Sequence, residues 1–138
     1  GAAVHAVTAL GGHLCLDWNR LYVRSAPCVQ GSQQGWRLGT TAIPTSQLRR
    51  PMEMARILQT ADGHCLDDGG RLVHVWRCNG TTFGVAQTWF YDPILKYIRN
   101  FRGLCLQANR AHGPVKRRRC DRHDEAQKWS LEGVEAAA

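Results

Sequence analysis

Short alternating runs punctuated by turn residues set the rhythm of this chain. Val4 to Leu10 is a short β-compatible run that ends in Gly11-Gly12. From His13 to Trp18 the residues His13, Cys15 and Asp17 alternate with Leu14, Leu16 and Trp18, a period-two pattern that predicts a half-buried strand. Leu21–Arg24 and Gln34–Leu38 complete a group of four short strands separated by turn signals. Such a group points to an all-β barrel rather than to helices.

The pattern then breaks. Residues 39–54 carry Thr40, Thr41, Pro44, Thr45, Ser46 and Pro51 and read as an inserted loop. Met52 to Arg56 is expected to form one helical turn, and Arg49-Arg50 lies where it could meet an anionic ligand. A loop of this length is expected to be functional or merely solvated. The strand rhythm resumes at Ala55–Thr60. Asp67-Asp68-Gly69-Gly70 has the residue types of a tight hairpin, glycine being expected there for positive φ. In Leu72–Cys78, Val73 and Val75 share one face while His74, Trp76 and Cys78 share the other. Ile94 with Tyr97 and Ile98, Leu104–Gln107, Val115–Cys120 and Trp129–Leu131 supply a last group.

These groups are copies of one unit. Cys15-Leu16-Asp17, then Cys28, then Gln34-Gly35-Trp36 is followed by Cys65-Leu66-Asp67, Cys78 and Gln87-Thr88-Trp89, and by Cys105-Leu106-Gln107, Cys120 and Gln127-Lys128-Trp129. Repeats of this kind dictate the fold. The triplication resembles the ricin B-type lectin domain, a β-trefoil whose three lobes each carry Gln-x-Trp. The resemblance covers about Val4 to Leu131 and implies one all-β trefoil domain over residues 1–138. Its four-stranded lobes fall at about 4–38, 55–91 and 94–131.

Aligning the copies on their second cysteine superimposes Val23, Val73 and Val115, which suits a shared core position. Two residues on stand Ser25, Val75 and Arg117. Arg117 is a poor core residue, so its strand is expected to bend outward or its long side chain to reach solvent. The following position holds Ala26, Trp76 and Arg118.

Six cysteines allow 15 pairings. The repeats favour Cys15–Cys28, Cys65–Cys78 and Cys105–Cys120, each closing a hairpin. Zinc is the competing reading, but no Cys-x-x-Cys pair is present. Disulfides imply an oxidising, secreted or extracellular setting. At 138 residues the chain can also bury a real core. No apolar run is long enough for a membrane-spanning helix. The start, Gly1-Ala2-Ala3-Val4-His5, lacks the regions of a signal peptide, which fits a mature chain or a piece of a longer one, and Ala136-Ala137-Ala138 reads as a tail.

A sugar needs fixed partners for its hydroxyls and a flat apolar surface for its C–H face. The resemblance implies an Asp from Cys-Leu-Asp, an aromatic just before the second cysteine, and an Asn just before the Gln of Gln-x-Trp. In the second lobe Asp67, Trp76 and Gln87 match; Ala86 stands where the Asn is expected, and Asn79 is a candidate replacement. The first lobe keeps Asp17, with Gln33 and Gln34, but has Ala26 in place of the aromatic. It is the weaker second site. The third has Gln107 and Arg118 at the two key places, and is read instead as an anionic-ligand patch of Lys116, Arg117, Arg118, Arg119 and Arg122. Gln34, Gln87 and Gln127 with Trp36, Trp89 and Trp129 recur in every lobe and are expected to be structural. The six histidines are scattered without ligand spacing, and no metal or cofactor is implied. Asn79-Gly80-Thr81 is an N-glycosylation sequon that would crowd the best pocket if occupied, and is expected to be unused.

The function implied by the resemblance is a non-catalytic carbohydrate-binding module for galactose or N-acetylgalactosamine glycans, tethered to or associated with a catalytic or toxin domain. The net charge of +7 supports an alternative, a basic trefoil that binds anionic glycans or a protein partner through its third lobe. Nucleic acid is a less favoured partner. No nucleophile–base pair, phosphate loop or metal motif suggests an enzyme.

Overall fold

The computed structural model describes residues 4–29, 32–41, 45–79 and 84–135. Pro44, the Gly80-Thr81 part of the sequon, the three residues before Val4 and the Ala136–Ala138 tail lie outside these residues.

Among the described residues twelve strands follow in chain order. The first lobe holds β1 (His5–Ala9), β2 (Leu14–Trp18), β3 (Val23–Pro27) and β4 (Trp36–Thr40). The second holds β5 (Met54–Thr60), β6 (His64–Asp67), β7 (His74–Arg77) and β8 (Trp89–Asp92). The third holds β9 (Tyr97–Arg99), β10 (Leu104–Gln107), β11 (Lys116–Arg119) and β12 (Trp129–Glu135). All pairings are antiparallel. β1, β4, β5, β8 and β9 pair in succession, and β12 returns to β1. The hairpins β2–β3, β6–β7 and β10–β11 join this wall through β1, β5 and β9. This thrice-repeated scheme is a β-trefoil.

The predicted strands are found with shifted ends. The third strand begins two residues later than expected, and Met52–Arg56 forms no helical turn. Its last three residues open β5, where Arg56 pairs with Thr40 and Trp89. Alternation within a strand is a stronger determinant here than the helix-tolerant composition of five residues.

The three aligned valines meet where the hairpins converge. Val23 N–H donates to the Val73 carbonyl at 2.8 Å, and Val115 N–H donates to the Val23 carbonyl at 3.0 Å. All three are buried. Around them pack Leu16, Leu66 and Leu106 from the Cys-Leu pairs and Trp36, Trp89 and Trp129 from Gln-x-Trp. Each of these tryptophans is 0% exposed. Truncation of a core Trp to Ala costs about 3–5 kcal/mol. The three disulfides are those the repeats favour.

Two local expectations are corrected. The turn after Asp67 is not a two-residue hairpin, and neither Gly69 nor Gly70 has positive φ. The chain needs glycine here for proximity: a Cβ on Gly69 would lie 2.9 Å from Asp67 Oδ1, and one on Gly70 would lie 2.8 Å from His74. Arg117 neither bends outward nor reaches freely to water. Its guanidinium turns into the second lobe, donating to Asp68 Oδ1 at 2.7 Å and to the carbonyls of Asp68, Gly70 and Arg71.

The inserted loop is pinned at its end rather than merely solvated. Glu53 is 3% exposed and takes both Nε and Nη2 of Arg99, which is also buried and stacks 4.3 Å over Phe90. Arg50, offered by the sequence as a ligand contact, lies 3.4 Å from Asp92 and over the Tyr97 ring instead. Removing one partner of a buried ion pair strands the other charge. Glu53→Ala should therefore lower stability by about 3–5 kcal/mol in urea denaturation. The double change Glu53→Leu/Arg99→Met should recover most of that loss.

Candidate functional site

The Gln of each Gln-x-Trp ends a single 3-10 turn, Ser32–Gln34, Val85–Gln87 or Glu125–Gln127. The turn aims the side chain into the base of its hairpin. Gln87 Nε2 donates to Asp67 Oδ2 at 2.9 Å and to the Arg77 carbonyl at 3.0 Å, and its Oε1 accepts from Asn79 N–H. Gln34 does the same with Asp17, Pro27 and Val29, and Gln127 with Gln107, Arg119 and Asp121. The tryptophan Nε1 two residues on donates to the carbonyl of Leu16, Leu66 or Leu106. Gln34 and Gln87 are buried with both amide hydrogens engaged, so each positions its aspartate rather than presenting an amide at the surface.

In the second lobe Asp67 Oδ1 accepts from Gly69 N–H at 2.6 Å, and His74 Nε2 stands 3.5 Å from the same oxygen. His74 Nδ1 lies 2.9 Å from the Leu72 carbonyl. A carbonyl only accepts, so Nδ1 carries the hydrogen, while Nε2 faces the Asp67 carboxylate. His74 meets Trp76 edge-on, with ring centroids 6.2 Å apart. Trp76 is 56% exposed, unlike the buried Gln-x-Trp tryptophans.

Trp76 and His74 line an open cleft of about 700 Å³ between the first and second lobes, facing Trp18, Arg20 and Leu21, with Asp62 and Arg71 at its margins. Asp67 is not on the cleft wall. Its side chain is 8% exposed, and it meets the cleft through His74. The Thr60 hydroxyl donates to Asp62, holding its carboxyl below the usual aspartate value against a small opposing effect of burial, with His64 adding to the lowering. The cleft thus offers an exposed indole, a fixed imidazole and a carboxylate behind it.

His74 escaped the sequence reading. It carries no spacing signal of its own. Only the strand register, which sets His74 opposite Asp67, brings the two together. Asn79 lies exposed beyond β7, its backbone fixed by Gln87. In the first lobe the residue opposite Asp17 is Arg24, whose Nε reaches Asp17 Oδ1 at 3.2 Å, so the carboxylate is already paired. Gln33 is exposed there, and Ala26 is buried. In the third lobe the basic residues do not all line one cleft. Lys116, Arg117 and Arg118 line a different cleft, and Arg119 and Arg122 do not.

A family model for the ricin-type β-trefoil lectin domain matches residues 53–136. The chain belongs to this family. The ricin-type domain is the lectin part of such proteins and is non-catalytic, so this is a carbohydrate-binding module. Among the described residues no group of His, Cys, Asp and Glu is arranged to hold a metal ion.

The designed three-fold symmetric protein ThreeFoil is similar in structure, with a TM-score of 0.66 at 18% identity, covering 95% of this chain and 99% of that one. A non-toxic homologue of type II RIPs from Momordica charantia (bitter gourd), in complex with α-methyl-D-galactoside, gives 0.67 at 16% identity over 94% of this chain and 48% of that one. The GlcNAcα1-4Gal-releasing endo-β-galactosidase from Clostridium perfringens gives 0.70 at 12% identity over 96% of this chain. The ricin-type chain spans only 33% of that enzyme. The comparison with curated proteins found no match to this chain.

Gln87→Leu would leave Asp67 Oδ2, the Arg77 carbonyl and Asn79 N–H without their partner. A stability loss of about 2 kcal/mol or more is expected in thermal or urea unfolding, since each buried unsatisfied group costs about 1–3 kcal/mol.

Proposed function

We propose that this lectin module binds galactose or N-acetylgalactosamine through its second lobe. The observation that carries the reading is the exposed indole of Trp76 set beside His74 and Asp67. A sugar's C–H face would lie on Trp76. A sugar hydroxyl would bond to the His74 imidazole, which the Asp67 carboxylate backs at 3.5 Å. Asn79 stands near enough in sequence to supply a further polar contact, and Gln87 holds the carboxylate in place. The galactoside bound by the bitter gourd relative is a ligand of this class.

The first lobe is the weaker site, because Arg24 occupies Asp17 and no aromatic stands at position 26. A monosaccharide of about 12 heavy atoms at roughly 0.3 kcal/mol each gives about −4 kcal/mol, a millimolar dissociation constant. Such affinity gains use from tethering, and the clostridial enzyme, of which this fold is a minor part, illustrates that arrangement. Attachment to a toxin or glycosidase domain is the corresponding reading for this chain. Three disulfides support an oxidising, extracellular setting.

Titration with N-acetylgalactosamine or lactose by NMR tests the site. Trp76→Ala should weaken binding at least about tenfold without lowering Tm, because the ring is exposed and its contribution is stacking. Asp67→Asn should weaken it comparably, and Trp76→Tyr should retain most of it. Undiminished binding by Trp76→Ala would overturn the second-lobe assignment.

A further inference from the structure

We propose that the cleft between the second and third lobes is an anion subsite, and that the glycan taken by this domain is acidic. Its galactose-type residue lies against Trp76, and its sulfate or carboxylate group enters that neighbouring cleft. The inference rests on the second-lobe reading above and names its ligand class.

The second cleft has a volume of about 490 Å³. Its walls bring together Arg71 from the loop after Asp67, Arg102 from the turn before β10, and Lys116, Arg117 and Arg118 from β11. Two of these cations, Arg117 and Arg102, already share the buried carboxylate of Asp68. Its Oδ1 takes Arg117, and its Oδ2 takes Asn100 at 2.9 Å with Arg102 at 3.4 Å. Among the described residues Arg71, Lys116 and Arg118 form no ion pair. Like charges converging on a concave surface repel one another and focus a positive potential into it. An oxyanion relieves that repulsion, and the guanidinium fork suits its geometry.

The two clefts occupy equivalent places in adjacent lobes. Counting from the cysteines, Arg102 stands where the second lobe has Asp62, Lys116 where it has His74, and Arg118 where it has Trp76. The same architecture thus presents an indole and an imidazole in one cleft and cations in the next. Arg71 and Leu72 line both clefts, so one wall separates them. A ligand seated on Trp76 would have to cross only that shared wall to reach the cationic cleft. Arg117, held by four acceptors in the second lobe, gives the cleft a fixed floor.

The test compares lactose, mono-sulfated lactoses and sialyllactose, with longer N-acetyllactosamine oligosaccharides in sulfated and plain form. Binding is measured at low and moderate salt to the whole chain, to Trp76→Ala, and to the double variant Lys116→Ala/Arg118→Ala. Both cationic side chains are exposed, and thermal unfolding verifies that the variant folds. At least one sulfated or sialylated glycan should bind roughly tenfold more tightly than its neutral parent, an advantage that shrinks with salt. The double variant should lose that advantage while binding the neutral parent unchanged, and Trp76→Ala should weaken both.

Equal affinity for acidic and neutral glycans, or an advantage that survives the double variant, would overturn the anion subsite and leave the galactose reading standing. Salt-sensitive binding of sulfated glycans that ignores Trp76→Ala, with no binding of lactose, would overturn the second-lobe reading and with it the shared-ligand proposal. Inorganic sulfate competing as well as the sulfated glycan would overturn the proposal in the same way.

Discussion

Each lobe depends on one buried glutamine. A hairpin projecting from the barrel leaves polar backbone groups at its base, where water is excluded, and such groups must be paired. The Gln-x-Trp amide pairs them in one move. It donates to the carbonyl before the second cysteine, accepts from the N–H after it, and donates again to the side chain that follows Cys-Leu. The tryptophan two residues on fills the core and satisfies the leucine carbonyl of the same motif. Both halves are needed at every lobe, so the motif persists where a sugar pocket has none of its other residues.

That shared scaffold leaves one position free to set the chemistry. Directly across the hairpin from Asp17, Asp67 and Gln107 stand Arg24, His74 and Lys116. A guanidinium at this place reaches the aspartate and neutralises it. An imidazole fixed by its other nitrogen stands beside the carboxylate and lines the cleft. In the third lobe the amide of Gln107 lacks the charge that would draw Lys116 inward, and Lys116 is exposed at the rim of the next cleft. One cross-strand pair therefore separates an arginine-paired carboxylate, an imidazole–carboxylate pair and a cationic rim on nearly identical backbones.

Much of the fold was legible because the residues that build it recur. The Cys-Leu pairs, the valines at the hairpin junction and the Gln-x-Trp motifs each appear three times at matching offsets, and the disulfides follow the same count. The site was only partly legible. Asp67, Trp76 and Gln87 stand on motif positions, and the amide of Gln87 is fully engaged inside the lobe, in the structural role that its recurrence in every lobe implies. His74 was invisible because only pairing register, not spacing, sets it against Asp67. Arg71 and Arg102 were missed because they belong to segments distant from the basic run, and a linear reading grouped Arg119 and Arg122 with cations that face elsewhere. Gly69 and Gly70 were recognised as necessary for the wrong reason: crowding by Asp67 and His74 excludes a side chain, whatever the φ angle.

The contacts between lobes show why the basic run on β11 is compatible with a folded trefoil. The position three residues before the second cysteine faces the neighbouring lobe in each repeat. Ser25 is buried there and accepts from Asn109 N–H of the third lobe at 2.6 Å. Val75 is half-buried and lines the first cleft with Trp18 of the first lobe. Arg117 meets Asp68 of the second lobe. Hydroxyl, apolar and ionic contacts thus serve one structural role, and each is matched to its neighbour's chemistry. In Lys116-Arg117-Arg118-Arg119 the pleat sends successive side chains to opposite faces. It assigns one cation to an inter-lobe ion pair and the two beside it to the open cleft. The pairing of Arg117 with Asp68 engages the neighbouring carboxylate, and Arg71, Lys116 and Arg118 line the same space without an ion pair among the described residues.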